Sequence, residues 1–597
     1  MGGDRMKYPR LRVPEATRQM VDNFKGYNHN LRIGDGEFFD MKNMTSDYYP
    51  VLSPRGSRGV YREGDGARIN GLVAKDALCY VEDTGIRING YYIEMHLTEG
   101  PKQLISMGAY VIIMPDKKYI NTEDHTDCGN IEAFYENASG KTVIYEMCKL
   151  DATVYPTEGI QSDTAPKEPK NMQLWIDTST TPHVLKQYSE TSSVWTQIAT
   201  TYIKISAQNI AQNFKQYDAV KISGFPANEQ LAELEGVTFP LWEAYHDENG
   251  NGANDYIVIV GMLDKAVSGT SKLRLERTMP EMDFVIESDN RLFGCRYGTA
   301  ANGEVVNEIY ASKLGDFKNW NCFMQISTDS WVQSCGSDGQ FTGAITHMGY
   351  PLFFKENCVH KVYGKYPANF QIQTTACRGV QKGCDRSLAI VNETLFYKSR
   401  SGVCAYDGSL PTEASYALGN EVYSDAVGGA HGNKYYISMK DVCGNYNLFV
   451  FDTAKGMWHK EDDLQVDCFC SCDGEMYAIS GDEIITMLGS GTKDTDPVEW
   501  MVQTGEIGMS TPDMKYISRL TVRMLLDIGT EVRIYAQYDF SDEWEPLCNL
   551  SNANNLRSFS LPIRPRRCDN MKLRIEGIGA AKIYSITKTI EQGSELS

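Results

Sequence analysis

A short phrase recurs in the C-terminal half of this chain: a turn residue, one or two spacers, then a burst of apolar and aromatic side chains. It reads Tyr350-Pro351-Leu352-Phe353-Phe354, then Asn392-Glu393-Thr394-Leu395-Phe396-Tyr397, then Asn433-Lys434-Tyr435-Tyr436-Ile437, then Asp473-Gly474-Glu475-Met476-Tyr477-Ala478. Their first residues lie 42, 41 and 40 positions apart. Each phrase precedes a second strand-like run, and in the third unit a Lys455-Gly456 turn leads on to Trp458. Strand, strand, turn and aromatic at about forty residues per unit is what a four-stranded propeller blade requires. One small twisted sheet cannot bury both of its faces, whereas a closed ring of them can. Weaker copies begin at Asp76, Gly108 and Asp289. The expected fold is therefore all-β, a six- or seven-bladed β-propeller with an inserted β-rich domain and a C-terminal β-sandwich.

The inserted segment separates the first two copies from the rest. It opens on a Pro-, Thr- and Lys-bearing stretch at 156–169, carries Trp175, Trp195 and Trp242, and contains one short helical pattern, Gln230-Leu231-Ala232-Glu233-Leu234-Glu235. Loops accept such insertions because closing a longer loop costs little more entropy. After residue 496 the texture changes to strict alternation, as in Leu520-Thr521-Val522-Arg523-Met524 and Val532-Arg533-Ile534-Tyr535-Ala536, the mark of half-buried strands. The expected organisation is an N-terminal arm (1–60), first blades (61–151), inserted domain (152–275), remaining blades (276–495) and sandwich (496–597).

The chemistry-bearing residues are scattered. The nine histidines form no His-Glu-x-x-His group, and the sixteen cysteines form no Cys-x-x-Cys pair. Cys468, Cys470 and Cys472 alternate, which places them on one face of a strand and converges poorly on one ion. Gly140-Lys141-Thr142 ends like a P-loop, but Tyr135 stands where its first Gly belongs. Asp247, Asn249, Asn251 and Asp255, with Gly252, fit the start of a calcium loop, although Val258 occupies the place of the closing Glu. A long Asn/Gly hairpin explains that string equally well. No cofactor, no catalytic group and no other metal site is expected. Lys+Arg 58 against Asp+Glu 78 gives a net charge of −20, which repels phosphate backbones. No apolar stretch approaches the length of a membrane span, and nothing behind Met1 reads as a secretory signal.

The N-terminal run Leu31-Arg32-Ile33-Gly34-Asp35-Gly36-Glu37-Phe38-Phe39-Asp40-Met41-Lys42-Asn43-Met44, continuing to Tyr48-Tyr49-Pro50-Val51-Leu52-Ser53-Pro54-Arg55-Gly56, resembles the opening of phage tail-nozzle, tail-hub and packaged-DNA-stabilising virion proteins. Leu174-Trp175-Ile176-Asp177 and Arg566-Arg567-Cys568-Asp569-Asn570-Met571 are similar to segments of such proteins. The resemblance implies a non-enzymatic structural component of a bacteriophage virion, forming a homo-hexameric ring or nozzle at the portal–tail junction. It would be assembled in the host cytoplasm, contact portal, adaptor or tail-fibre components, and pass DNA during ejection without binding it tightly. Phe38, Phe39, Tyr48, Tyr49, Arg564, Arg566 and Arg567 are the expected partner contacts. The first alternative is a distal tail or baseplate protein that recognises a host surface. The second, from another class, is a carbohydrate-active propeller hydrolase, whose central mouth would hold two carboxylates about 5–10 Å apart. Of the Ser-x-Asp turns that mark propeller sialidases, only Ser327-Thr328-Asp329-Ser330-Trp331 is present, and incomplete.

Overall fold

A computed structural model of the chain describes residues 16–300, 303–493, 497–509, 514–539, 541–551 and 555–592. Its regular structure is almost entirely strand, with one short α-helix at Glu229–Ala232 among the described residues. The propeller has seven blades. Their innermost strands are Ile69–Lys75, Gln103–Met107, Phe284–Ser288, Gly343–His347, Ala389–Val391, Ser424–His431 and Cys468–Cys472. Neighbouring inner strands touch round the ring, the seventh returning to the first, except at the fourth and fifth, where a 3-10 turn at Asp385–Ser387 bridges the two blades.

The recurring phrase is the hairpin from first to second strand in each blade, and its cause is turn stereochemistry. A two-residue hairpin that matches the twist of its strands needs positive φ in the turn. Asp289 and Asn290 have φ of 49° and 57°, Asn392 and Glu393 46° and 67°, and Asp473 and Gly474 50° and 78°. The burst that follows is the second strand, buried on both sides between neighbouring blades: Leu352, Phe353, Phe354, Leu395 and Tyr397 are each fully inaccessible.

The fourth strand of the seventh blade, Gly59–Arg62, is brought from the N-terminal end to pair with Glu483–Thr486, and the short strand Thr492–Lys493 pairs along its other edge. Ring closure therefore joins two segments more than 400 residues apart, and it is clamped by charge. Arg58 meets Glu461 and Asp462 at 2.7 Å each, and Arg55 meets Asp462 at 3.1 Å. The Pro54-Arg55-Gly56 motif of the opening segment thus has a structural role here, as the clamp of the ring.

The rest of the expected arm is not free either. Ala16–Val21 pairs with Ala581–Gln592, and Glu37–Lys42 pairs with Glu499–Thr504. Gly26–Tyr27 joins the outer strand of the sixth blade at Trp458. A ten-stranded sheet consequently runs from the sixth blade through the N-terminal segment into the C-terminal sandwich. The sandwich core (Trp500, Val522, Ile534, Ile575 and Ile583) is continuous with that of the fifth and sixth blades. The inserted segment builds three sheets on its own core of Ile203, Ile205, Ile222, Ile257 and Leu275. Its strands begin at Ala133 rather than at 152, because Ala133–Glu136 and Val143–Cys148 pair with Arg274–Arg277 and Tyr202–Ser206. Such long-range pairing has no local signature.

Candidate functional site

The innermost strands converge on a cavity of about 470 Å³ at the end of the ring where the chain runs into each of them, and every blade contributes to its wall. Phe284 and Phe469 supply half-buried aromatic surface, and four charged residues belong to the lining: Lys102, Asp283, Asp385 and Arg386. Each charged residue stands at or just before the start of an innermost strand.

The environments of the two carboxyl groups differ. Asp283 lies one residue ahead of the third blade's inner strand. Its carboxylate pairs with Arg296 at 2.8 Å and accepts the Tyr297 amide N–H at 2.8 Å. Asp385 opens the 3-10 turn of the fifth blade. Its carboxyl accepts no hydrogen bond from another residue among the described residues, and burial pushes its pKa up against the weaker opposing pull of Arg386. A carboxyl group removed from water without a donor favours its neutral form. The cavity therefore offers one carboxyl group paired with a cation and one whose pKa burial has raised.

Asp385 and Arg386 owe their position to Ser387, which is completely buried. The Ser387 hydroxyl donates to the Cys384 carbonyl at 2.6 Å and accepts the Lys398 amide N–H at 2.9 Å. The Tyr435 hydroxyl, from the sixth blade, donates to the Ser387 carbonyl at 2.7 Å. Gly428 makes that approach possible, since a Cβ there would stand 2.6 Å from the Ser387 oxygen. Arg386 Nη1 donates to the Asp467 carbonyl at 2.7 Å, across the cavity wall in the seventh blade. Lys102 is different: its side chain is 1% exposed and its ammonium meets Asp116 at 2.5 Å, so it presents main chain rather than charge to the cavity.

The residues singled out in the sequence fall elsewhere. Phe38 is 1% exposed in the main core, which corrects its assignment as a partner contact; it packs against Phe24 at 5.7 Å. Phe39 is half-buried and stacks on His29 at 4.2 Å. Tyr48 and Tyr49 are 50% and 38% exposed, and Lys582 lies over the Tyr48 ring at 3.9 Å. Arg564, Arg566 and Arg567 are exposed, and Arg566 pairs with Glu545 at 2.9 Å. In the calcium-like string the carboxylates serve their own loop. Asp255 accepts the Asp247 amide at 2.7 Å and lies 2.8 Å from His246 Nδ1, and Asp247 accepts the Gly250 amide at 2.9 Å. With Asn249 and Asn251 the string forms a hairpin loop, and no group of three or more potential metal ligands occurs among the described residues. The Cys468, Cys470 and Cys472 side chains pack against Leu72 and Tyr80 of the first blade.

Sequence reasoning did not find Asp283, Asp385 or Arg386. The repeat phrase marks second strands, whereas these residues sit just ahead of the first strands. Stepping back from each phrase to the residues before the preceding strand would have reached them.

No family model and no curated protein matches the chain. Among solved structures, an exo-β-1,3-galactanase from Phanerochaete chrysosporium is similar at 8% identity and a TM-score of 0.20, covering 51% of this chain and 94% of that one. A family 43 arabinoxylan arabinofuranohydrolase from Bacillus subtilis is similar at 8% identity and a TM-score of 0.16, with the same coverage. A sialidase from Trypanosoma rangeli is similar at 9% identity and a TM-score of 0.16 over 90% of this chain and 96% of that one. These three structures are carbohydrate-active enzymes and none is a virion part. The expected tail ring or nozzle, its distal-tail alternative and the expectation of no catalytic activity find no counterpart in them; the second alternative, the carbohydrate-active propeller, does. No helix among the described residues is long and apolar enough to cross a membrane.

Proposed function

We propose that this chain is a carbohydrate-active hydrolase whose chemistry takes place in the central cavity of the propeller. The observation that carries the reading is the pair of acidic residues, Asp283 and Asp385, placed by different blades on one cavity wall and held in unlike environments. Glycosidic bond cleavage needs that division of labour: a carboxylic acid to protonate the departing oxygen, and a carboxylate to activate water or attack the anomeric carbon. Asp385 is suited to the first role because burial raises its pKa, which favours the protonated form. Asp283 is suited to the second because Arg296 and the Tyr297 amide fix its orientation.

In the proposed step the Asp385 proton passes to the glycosidic oxygen as its bond to the anomeric carbon breaks. The electron pair of that bond leaves with the oxygen. Water supplies the new bond to carbon and gives its proton to Asp283; if Asp283 itself forms that bond, water then displaces it from the anomeric carbon, losing its proton to Asp385, and both carboxyl groups are restored. Phe284 and Phe469 offer the apolar faces against which a pyranose ring packs. The test is release of reducing sugar from a panel of neutral and acidic polysaccharides and aryl glycosides. Release by the native chain that is lost in both Asp283→Asn and Asp385→Asn supports the reading. No release from any substrate, or release that survives both substitutions, overturns it.

A further inference from the structure

We infer that the saccharide taken by this cavity carries a carboxylate group, and that Arg386 is the residue that recognises it. The inference rests on the hydrolase reading above and adds the substrate class. It comes from the balance of charges on the wall. Lys102 is cancelled by Asp116 within the protein, at 2.5 Å and out of reach of the cavity. Asp283 is cancelled by Arg296 at 2.8 Å. Asp385 forms no ion pair among the described residues, although it is the neighbour of Arg386 in sequence, and burial raises its pKa. Arg386 is left, and no carboxylate pairs with it among the described residues; its one protein hydrogen bond is Nη1 to the Asp467 carbonyl.

The remaining N–H groups of Arg386 have no partner and are not sealed from solvent, since Arg386 is half-buried and contributes no buried unpartnered atom. The bond to the Asp467 carbonyl, with the packing behind Ser387, holds the guanidinium in place before any ligand arrives. A fixed guanidinium fork matches a carboxylate with two parallel hydrogen bonds. In a chain with a net charge of −20, a guanidinium without a carboxylate partner in the cavity runs against the global field, and a low-dielectric wall strengthens it locally. A neutral sugar would leave that cation desolvated and unpaired. A uronate-type sugar would satisfy it.

The experiment is titration calorimetry of the full chain with D-glucuronate and, separately, with D-glucose, which differ at one carbon. Neither monosaccharide has a glycosidic bond to cleave, so the result does not depend on turnover. The expected result is at least tenfold tighter binding of glucuronate, with the preference abolished in Arg386→Gln, which retains a donor for the Asp467 carbonyl, and reduced in Arg386→Lys, which keeps the charge but not the fork. Melting temperatures of the variants check that the fold is intact. Equal affinity for the two sugars, binding of neither, or a preference that survives Arg386→Gln overturns the inference. Cleavage of neutral glycans without a glucuronate preference would sink this inference and leave the hydrolase reading standing. Selective glucuronate binding with no glycan cleaved would do the reverse.

Discussion

Two of the places in the ring where acidic and basic side chains gather are built on opposite plans. At the closure, Arg55 and Arg58 face Glu461 and Asp462, two charges against two, with every side chain no more than 14% exposed. Burial alone would raise the Asp462 pKa, but the two guanidiniums reverse that and hold it below the usual carboxylate range. In the central cavity, Asp385 has no such partner and burial prevails, so its pKa rises. A matched cluster is consumed in holding two distant segments of chain together. An unmatched one leaves a carboxyl group and a guanidinium available to something from outside.

The sharpest way to break this contrast is Asp385→Asn. It should lower hydrolysis by about 10²–10⁴-fold, the usual worth of a positioned general acid, while leaving the melting temperature unchanged or raised. A variant that lost stability instead would place Asp385 among the structural groups. At the closure the expectation is inverted. Arg58→Ala leaves two buried carboxylates to share Arg55 alone and should cost about 3–5 kcal/mol of unfolding free energy, read from urea denaturation, with sugar binding in the cavity retained by the folded fraction.

The two sites should also separate with pH. Asp462 has a depressed pKa when folded, so its stabilisation is present above the ordinary carboxylate pKa and disappears as pH falls through the folded value. Asp385 has a raised one, so its contribution is present at low pH and lost as pH rises through the folded value. Urea midpoints followed from pH 3 to 7 should therefore show Asp385→Asn gaining on the native chain as pH rises. If the two curves ran parallel, Asp385 would not titrate as its burial demands. The smallest effect belongs to an exposed pair. Arg566→Ala, which removes the contact with Glu545 where the side chains are 47% and 51% exposed, should change stability by no more than about 1 kcal/mol. A larger loss would mean that the Arg566 stack over Tyr538, at 3.8 Å, matters more than its charge.

Much of the scaffold was readable because it is local. The hairpins at Asn392-Glu393 and Asp473-Gly474 announce themselves through turn residues followed directly by buried strands, and they set the period. The alternation through Leu520–Met524 is likewise local, and in the structure it belongs to a strand, Lys515–Leu526, that alternates between buried and accessible positions. The Asn228-capped helix at Glu229–Ala232 falls where its short pattern pointed. Phe38 was misread because an aromatic residue in a leading segment looks the same whether a partner chain or the chain's own sandwich covers it. Its cover, the strand Glu499–Thr504, lies more than 450 residues away.

By itself, then, the sequence determined the strand-turn-strand unit, its approximate number and the alternating sheets at the C-terminal end, since backbone turn preferences and side-chain periodicity act over a few residues. Only the tertiary structure decided that the ring has seven blades, that Gly59–Arg62 closes it, and that Asp283, Asp385 and Arg386 share a wall. The physical reason is the same in each case. Closure and convergence depend on which distant segments meet, and the charge state of a carboxyl group depends on the neighbours and the water it has lost, neither of which is written beside it in the chain.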